Sequence, residues 1–211
     1  MAIGTWFSHS RTWTISRLFF VVAPLLVLSG CVLRSVEPLY EDGLFAARDK
    51  DLVMDQSVIG SWFHTDNECS WTLTVSTPEK EGFGYELTLT ANPDCKSSDV
   101  DKRVAHYDGH VVKLDKKSFL DVSPRATEVC DQCLALHTFF LISEQEDQLV
   151  LTPIDGDWIK DAIGKGTVTL AHRNDGLTMT ASSKDLKAFV RKYADDKAAF
   201  KPDPEFTFKK K

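Results

Sequence analysis

The chain has 211 residues, of which 43% are hydrophobic and 27% charged, with a formal net charge of −6. That length fits one domain of ordinary size, able to bury a core of its own. The acidic balance argues against nucleic acid as a partner and against broad electrostatic adhesion to anionic lipid, and the terminal Lys209-Lys210-Lys211 reads as a solvated exception.

Residues 1–17 contain Arg11 and Arg17 and no acidic residue, and residues 18–28 form an apolar run. A membrane span needs about 20 residues, so this run suits a signal-peptide core instead. Small residues then lead to a cysteine, Leu28-Ser29-Gly30-Cys31. This resembles the bacterial lipobox read by lipoprotein signal peptidase. The resemblance implies that residues 1–30 are removed, that the Cys31 thiol takes a diacylglycerol, and that the new amino terminus is acylated. Each buried CH₂ contributes about 0.8 kcal/mol, so one acyl chain binds marginally and several hold firmly. Val32 follows Cys31, where the inner-membrane sorting signal of enteric-type lipoproteins has aspartate, so the implied address is the outer membrane facing the periplasm. Losing two arginines and no acid takes the formal charge from −6 to −8.

Residues 31–56 read as the lipidated cysteine and a flexible tether, since Glu37-Pro38, Glu41-Asp42-Gly43 and Asp49-Lys50-Asp51 leave only scattered apolar positions. Fully extended, about 25 residues reach roughly 80 Å. From residue 57 the period is that of strands. In residues 69–76 Trp71, Leu73 and Val75 share one face, and in 83–90 Phe83, Tyr85, Leu87 and Leu89 do, as in a hairpin with one wet side. Joining Ser76 to Phe83 sets Cys69 opposite about residue 90. Further strands are expected near 102–107, 110–114 and 117–122, with Asp108-Gly109 as a tight turn between the first two. Residues 134–142 are apolar on both faces, so that strand should be covered on both sides. Strands near 148–154, 167–172 and 177–180 follow. A short helix is expected over 157–163. A longer one starts at Ser182, with Asp185 three residues on, and carries Leu186, Phe189, Val190 and Tyr193 on one stripe. Pro202 and Pro204 end it, leaving 202–211 as a disordered basic tail. Eight or nine short strands favour closure, which removes exposed edges. The expected fold is an all-β antiparallel barrel over residues 57–201 with a C-terminal amphipathic helix packed on it.

The domain opens Val58-Ile59-Gly60-Ser61-Trp62, and Gly-x-Trp at a first strand is similar to the lipocalin signature. The order of later pieces, Ser118-Phe119-Leu120-Asp121-Val122, Leu136-His137-Thr138-Phe139, Leu149-Val150-Leu151 and Asp155-Gly156-Asp157-Trp158, resembles small bacterial lipoproteins with lipocalin-like domains over roughly residues 57–200. The resemblance implies a tryptophan closing the narrow end of the barrel and an arginine near the last strand against it, for which Arg173 is the candidate.

Outside the cytoplasm thiols pair, and four cysteines besides Cys31 allow three connectivities. Cys69–Cys95 is the pairing the hairpin favours. Cys130-Asp131-Gln132-Cys133 sits in a loop before a strand, which suits a structural disulfide better than a redox pair, or than zinc held with Cys69 and Cys95. His106 and His110 have zinc-like spacing only on a helix, and Asp108-Gly109 argues for two solvated hairpin residues. His137, in the most apolar strand, reads as a buried histidine bonded to a neighbour or as part of a ligand site. Asp155-Gly156-Asp157 reads as a helix cap. There is no nucleophile elbow, phosphate loop or zincin motif, so no catalytic residue, metal or cofactor is assigned, and the chain is read as a non-enzyme. Two functions stand. One is a lipid-anchored binding protein for an apolar small molecule or lipid, lined by Trp62, Trp71, Phe83, Tyr85, Leu87 and His137. The other is an interaction protein with a filled barrel, serving as accessory subunit or inhibitor of an envelope protein.

Overall fold

Alternating inward and outward residues make each strand two-sided, and the strands close on themselves. The computed structural model describes residues 32–41, 49–65, 69–78, 84–93, 95, 104–125, 134–145, 147–173, 176–201 and 206–211. In chain order these form β1 (Arg34–Ser35), β2 (Leu52–Val53), a 3-10 turn (Gln56–Val58), β3 (Gly60–Thr65), β4 (Ser70–Ser76), β5 (Gly84–Ala91), β6 (Val104–Leu114), β7 (Lys117–Pro124), β8 (Thr138–Gln145), β9 (Gln148–Pro153), α1 (Gly156–Gly164), β10 (Thr178–Met179), α2 (Ser183–Tyr193) and β11 (Thr207–Lys210). The ladder runs β6-β5-β4-β3-β11-β9-β8-β7 and returns to β6 through the β6–β7 pairing, an antiparallel barrel of eight strands. β2 adds to the part of β6 that β5 leaves free. The expected all-β barrel with a packed helix is what forms.

Two layers of core result. The barrel interior takes Trp62, Leu73, Val75, Tyr85, Leu87, Leu89, Tyr107, Phe140, Leu149 and Phe208 among others. The outward residues Val112, Leu114, Phe119 and Phe139 are apolar too, and they bury against Leu33, Leu39, Ile159, Leu186, Phe189, Val190 and Phe200. This second layer covers β6, β7 and β8 from outside, which explains the strand that is apolar on both faces. α2 joins it through the predicted stripe, with Ser182 Oγ accepting from the Asp185 N–H at 3.2 Å. α1 is capped by Asp155, which accepts from the Trp158 N–H at 2.7 Å.

Several expectations are corrected. Residues 32–41 and 49–56 are not a free tether. They form a strap across the barrel, with Leu33, Leu39 and Leu52 buried, β1 parallel to β10, and β2 on β6. Its apolar residues carry no period because they meet several elements in turn. Residues 206–211 are not a disordered tail. Phe206 and Phe208 point into the barrel, and β11 lies between β3 and β9. Asp108-Gly109 is not a turn either: β6 runs straight through it, and the chain reverses at Asp115, with φ of 56°. Gly109 permits a close approach, because a Cβ there would overlap Leu87 Cδ1 and that side chain would have to shift. Of the strands near 167–172 and 177–180, only β10 and a His172–Met179 bridge are found among the described residues.

The β4–β5 register pairs Trp71 with Ala91 and Ser76 with Glu86, three residues from the expected one. Antiparallel partners share a face, so this register joins the inward residues Leu73 to Leu89 and Val75 to Leu87. It also carries Cys69 to Cys95, and the two form a disulfide across 26 residues.

Candidate functional site

Of the expected ligand-lining residues, Trp62, Tyr85 and Leu87 lie in the buried cluster of the barrel interior and Trp71 packs against it, whereas His137 is not among them. In the central belt of the barrel Trp62, Tyr85 and Leu87 are 3%, 2% and 3% exposed. Trp62 Nε1 donates to the Val58 carbonyl at 2.9 Å, and Lys210 Nζ stands 5.8 Å from its ring centroid. The basic partner of this tryptophan is therefore Lys210 of β11. The exposed Arg173 instead gives its backbone N–H to Thr178. The Tyr85 hydroxyl accepts from the Asp55 N–H and donates to the Asp55 carbonyl at 3.2 Å. Burial, reinforced by the Asp55 carboxylate, raises its pKa above the ordinary phenol value, although the Asp55 backbone bond works the other way. Phe83, Cys31, Cys130 and Cys133 lie outside the described residues.

A ligand cavity typically measures about 300–1,000 Å³. One of that size in the central belt would leave water-reachable surface on the side chains walling it, and these have almost none. Packing loosens toward the end where β3 runs into β4. Trp71 is half-buried there, and His64 lies opposite it. His64 Nδ1 meets the Thr207 carbonyl at 2.9 Å, so the ring carries its proton on that nitrogen. Nε2 is then a buried acceptor, and it has no hydrogen-bond partner among the described residues. The ring stands edge-on to Phe208 at 5.7 Å.

His137 falls outside the barrel, under the strap. Its Nδ1 donates to Asp121 Oδ1 at 2.7 Å, and Asp121 Oδ2 accepts from the Leu39 N–H at 2.6 Å. Asp121 is 1% exposed. The Tyr40 ring lies 4.2 Å from that of His110 and meets His137 edge-on at 6.4 Å. β6 and β7 set His110 beside Asp121 in register. A carboxylate fixing an imidazole is two-thirds of a hydrolytic triad. Ser35 pairs with His137 through the backbone, but its buried Oγ has no hydrogen-bond partner among the described residues, so it is not bonded to the imidazole. Through the Leu39 N–H, the Asp121–His137 pair clamps the strap.

A second clamp holds the other end. Lys187 Nζ donates to Asp49 Oδ1 and Oδ2 at 3.0 and 2.8 Å and to Asp51 Oδ2 at 2.9 Å. Burial opposes both charges. Hydrogen bonds from Lys187 and from the Glu41 and Asp51 backbone outweigh it for Asp49, whose pKa is lowered; the two carboxylates outweigh it for Lys187, whose pKa is raised.

Alongside α2 an open groove of about 410 Å³ is lined by Thr167, Val168, Leu170, Ala188, Phe189 and Tyr193. Among the described residues no three His, Cys, Asp or Glu side chains are grouped to hold a metal ion, and no helix is long and apolar enough to cross a membrane. His64, Asp121 and Tyr40 carry no sequence signal of their own, because each gains its partners from a distant element. Comparison with protein-family models, with curated proteins and with solved structures gave no match.

Proposed function

We propose that this chain is a non-enzymatic, lipid-anchored module of the bacterial cell envelope that acts by contact with another protein. In this reading it is held through Cys31 on the outer membrane, facing the periplasm. The observation that carries the choice is the packed central belt around Trp62, Tyr85 and Leu87, which favours a rigid filled barrel over a carrier. Photo-crosslinking in intact cells tests it. One specific protein adduct is expected. A purified protein that carries a stoichiometric small molecule in native mass spectrometry, with no adduct, sinks the reading.

A second reading keeps an apolar small molecule, confined to the barrel end beside Trp71. The half-buried Trp71 favours it, and His64 Nε2, which has no hydrogen-bond partner among the described residues, would accept from a ligand hydroxyl or amine once the side chains covering it move aside. His64→Phe should then abolish the uptake of such a ligand and leave protein crosslinking unchanged. Equal uptake by both proteins removes this reading.

A further inference from the structure

The strap fixes where a lipid on Cys31 would stand relative to the barrel. Val32 bridges to Asp155, whose N–H donates to the Ala199 carbonyl at 2.8 Å. Leu33 is 1% exposed. Arg34 and Val36 give their N–H groups to Leu177 and Met179 at 2.8 and 3.0 Å, and Ser35 exchanges two bonds of 2.9 Å with His137. The Leu39 N–H then closes on Asp121. The fixed chain thus begins at the residue immediately after Cys31. Consecutive Cα atoms stand about 3.8 Å apart across a trans peptide, so no slack separates an acylated Cys31 from the folded body.

Resting on the reading of Cys31 as the lipid anchor, we propose that the domain is mounted flush on the lipid headgroup surface in one orientation. The side beside Val32, with the start of α1 and residues 199–201, faces the bilayer. Exposed groups on that side have both signs, Asp157 against Lys160 and Lys201, in a chain whose formal charge after loss of residues 1–30 goes from −6 to −8. The anchor and not electrostatic attraction sets the contact, so the geometry is insensitive to salt.

The test uses the full chain matured in a bacterial envelope. Its intact mass is measured, it is reconstituted in a supported bilayer of phosphatidylethanolamine and phosphatidylglycerol, and its height is profiled by neutron reflectometry. A domain of this size has a radius of gyration of about 16 Å. Protein density should begin at the headgroups and end within roughly 45 Å. A variant with a Gly/Ser insertion of about 25 residues between Cys31 and Val32 should move the density outward by roughly 25 Å. Native protein that is lipidated yet shows the same hydrated gap as the insertion variant overturns flush mounting and leaves the anchor standing. A mature mass without diacylglycerol overturns the anchor, and flush mounting with it.

Discussion

The carboxylate of Asp121 and the backbone N–H of Leu39, 82 residues apart in sequence, meet at 2.6 Å in a position closed to water. The same carboxylate holds His137. Removing it leaves two buried donors without an acceptor, and each costs about 1–3 kcal/mol. Asp121→Ala should lower unfolding free energy by about 3 kcal/mol in urea and speed amide exchange at residues 32–40. Asp121→Asn, which keeps one acceptor oxygen, should cost about half as much. If Asp121→Ala leaves the exchange of the strap unchanged, the clamp is misassigned.

The Asp49–Lys187 pair sets a pH window. Because the folded pKa of Asp49 is lowered, its contribution is complete above the ordinary aspartate value of about 3.9 and is lost as pH falls through the folded value. Because that of Lys187 is raised, its contribution is complete below about 10.4 and is lost as pH rises through the folded value. Lys187→Met strands a buried carboxylate and should cost about 3 kcal/mol at pH 7. The gap between the two proteins should shrink as pH falls below the ordinary aspartate value and close only below the lowered folded value of Asp49, where the carboxyl is neutral in both. Urea midpoints across pH measure this, and a constant gap would contradict the assignment.

Gly109 and Leu87 share one space. Gly109→Ala forces a methyl onto Leu87 Cδ1 and should destabilise by about 1–3 kcal/mol. Leu87→Ala makes room for it, so the double variant should be more stable than the two single costs predict. Simple additivity would mean that the contact does not matter.

The C-terminal strand closes the barrel. Stopping the chain after residue 205 removes Phe206 and Phe208 from the interior and leaves β3 and β9 with free edges. That truncation should yield aggregated protein without a cooperative melt. Stopping after residue 210 removes only Lys211, whose N–H donates to the Ser61 carbonyl at 3.0 Å, and should lower the melting temperature only slightly. Circular dichroism melts and size-exclusion profiles decide.

The parts of the fold legible in the sequence are those whose pattern is set by one neighbouring surface. β4 and β5 alternate because one face is wet, and α2 shows its stripe because it lies on a single apolar layer. Leu33, Leu39 and Tyr40 follow no period because the strap is held by whatever it crosses. In 206–210 the alternation of Phe206 and Phe208 is present, but it is outweighed by two prolines before it and three lysines after it. Asp108-Gly109 carries a hairpin signal, yet glycine also serves close approach, and only Leu87 on the adjoining strand decides between them. The candidate site was less legible still. His137 and Asp121 face the same outer layer only because β7 and β8 pair, and the Nε2 of His64 is buried only because β11 lies beside β3.

The position of β11 between β3 and β9 has a consequence for how the molecule is made. A chain built from its amino end exposes both edges until residues 206–210 arrive, so no closed barrel forms before them. The two-layered core around β6, β7 and β8 can assemble first and wait. Completion is then a single late event, and a nascent chain that pauses before Phe206 presents two adhesive borders to whatever surrounds it.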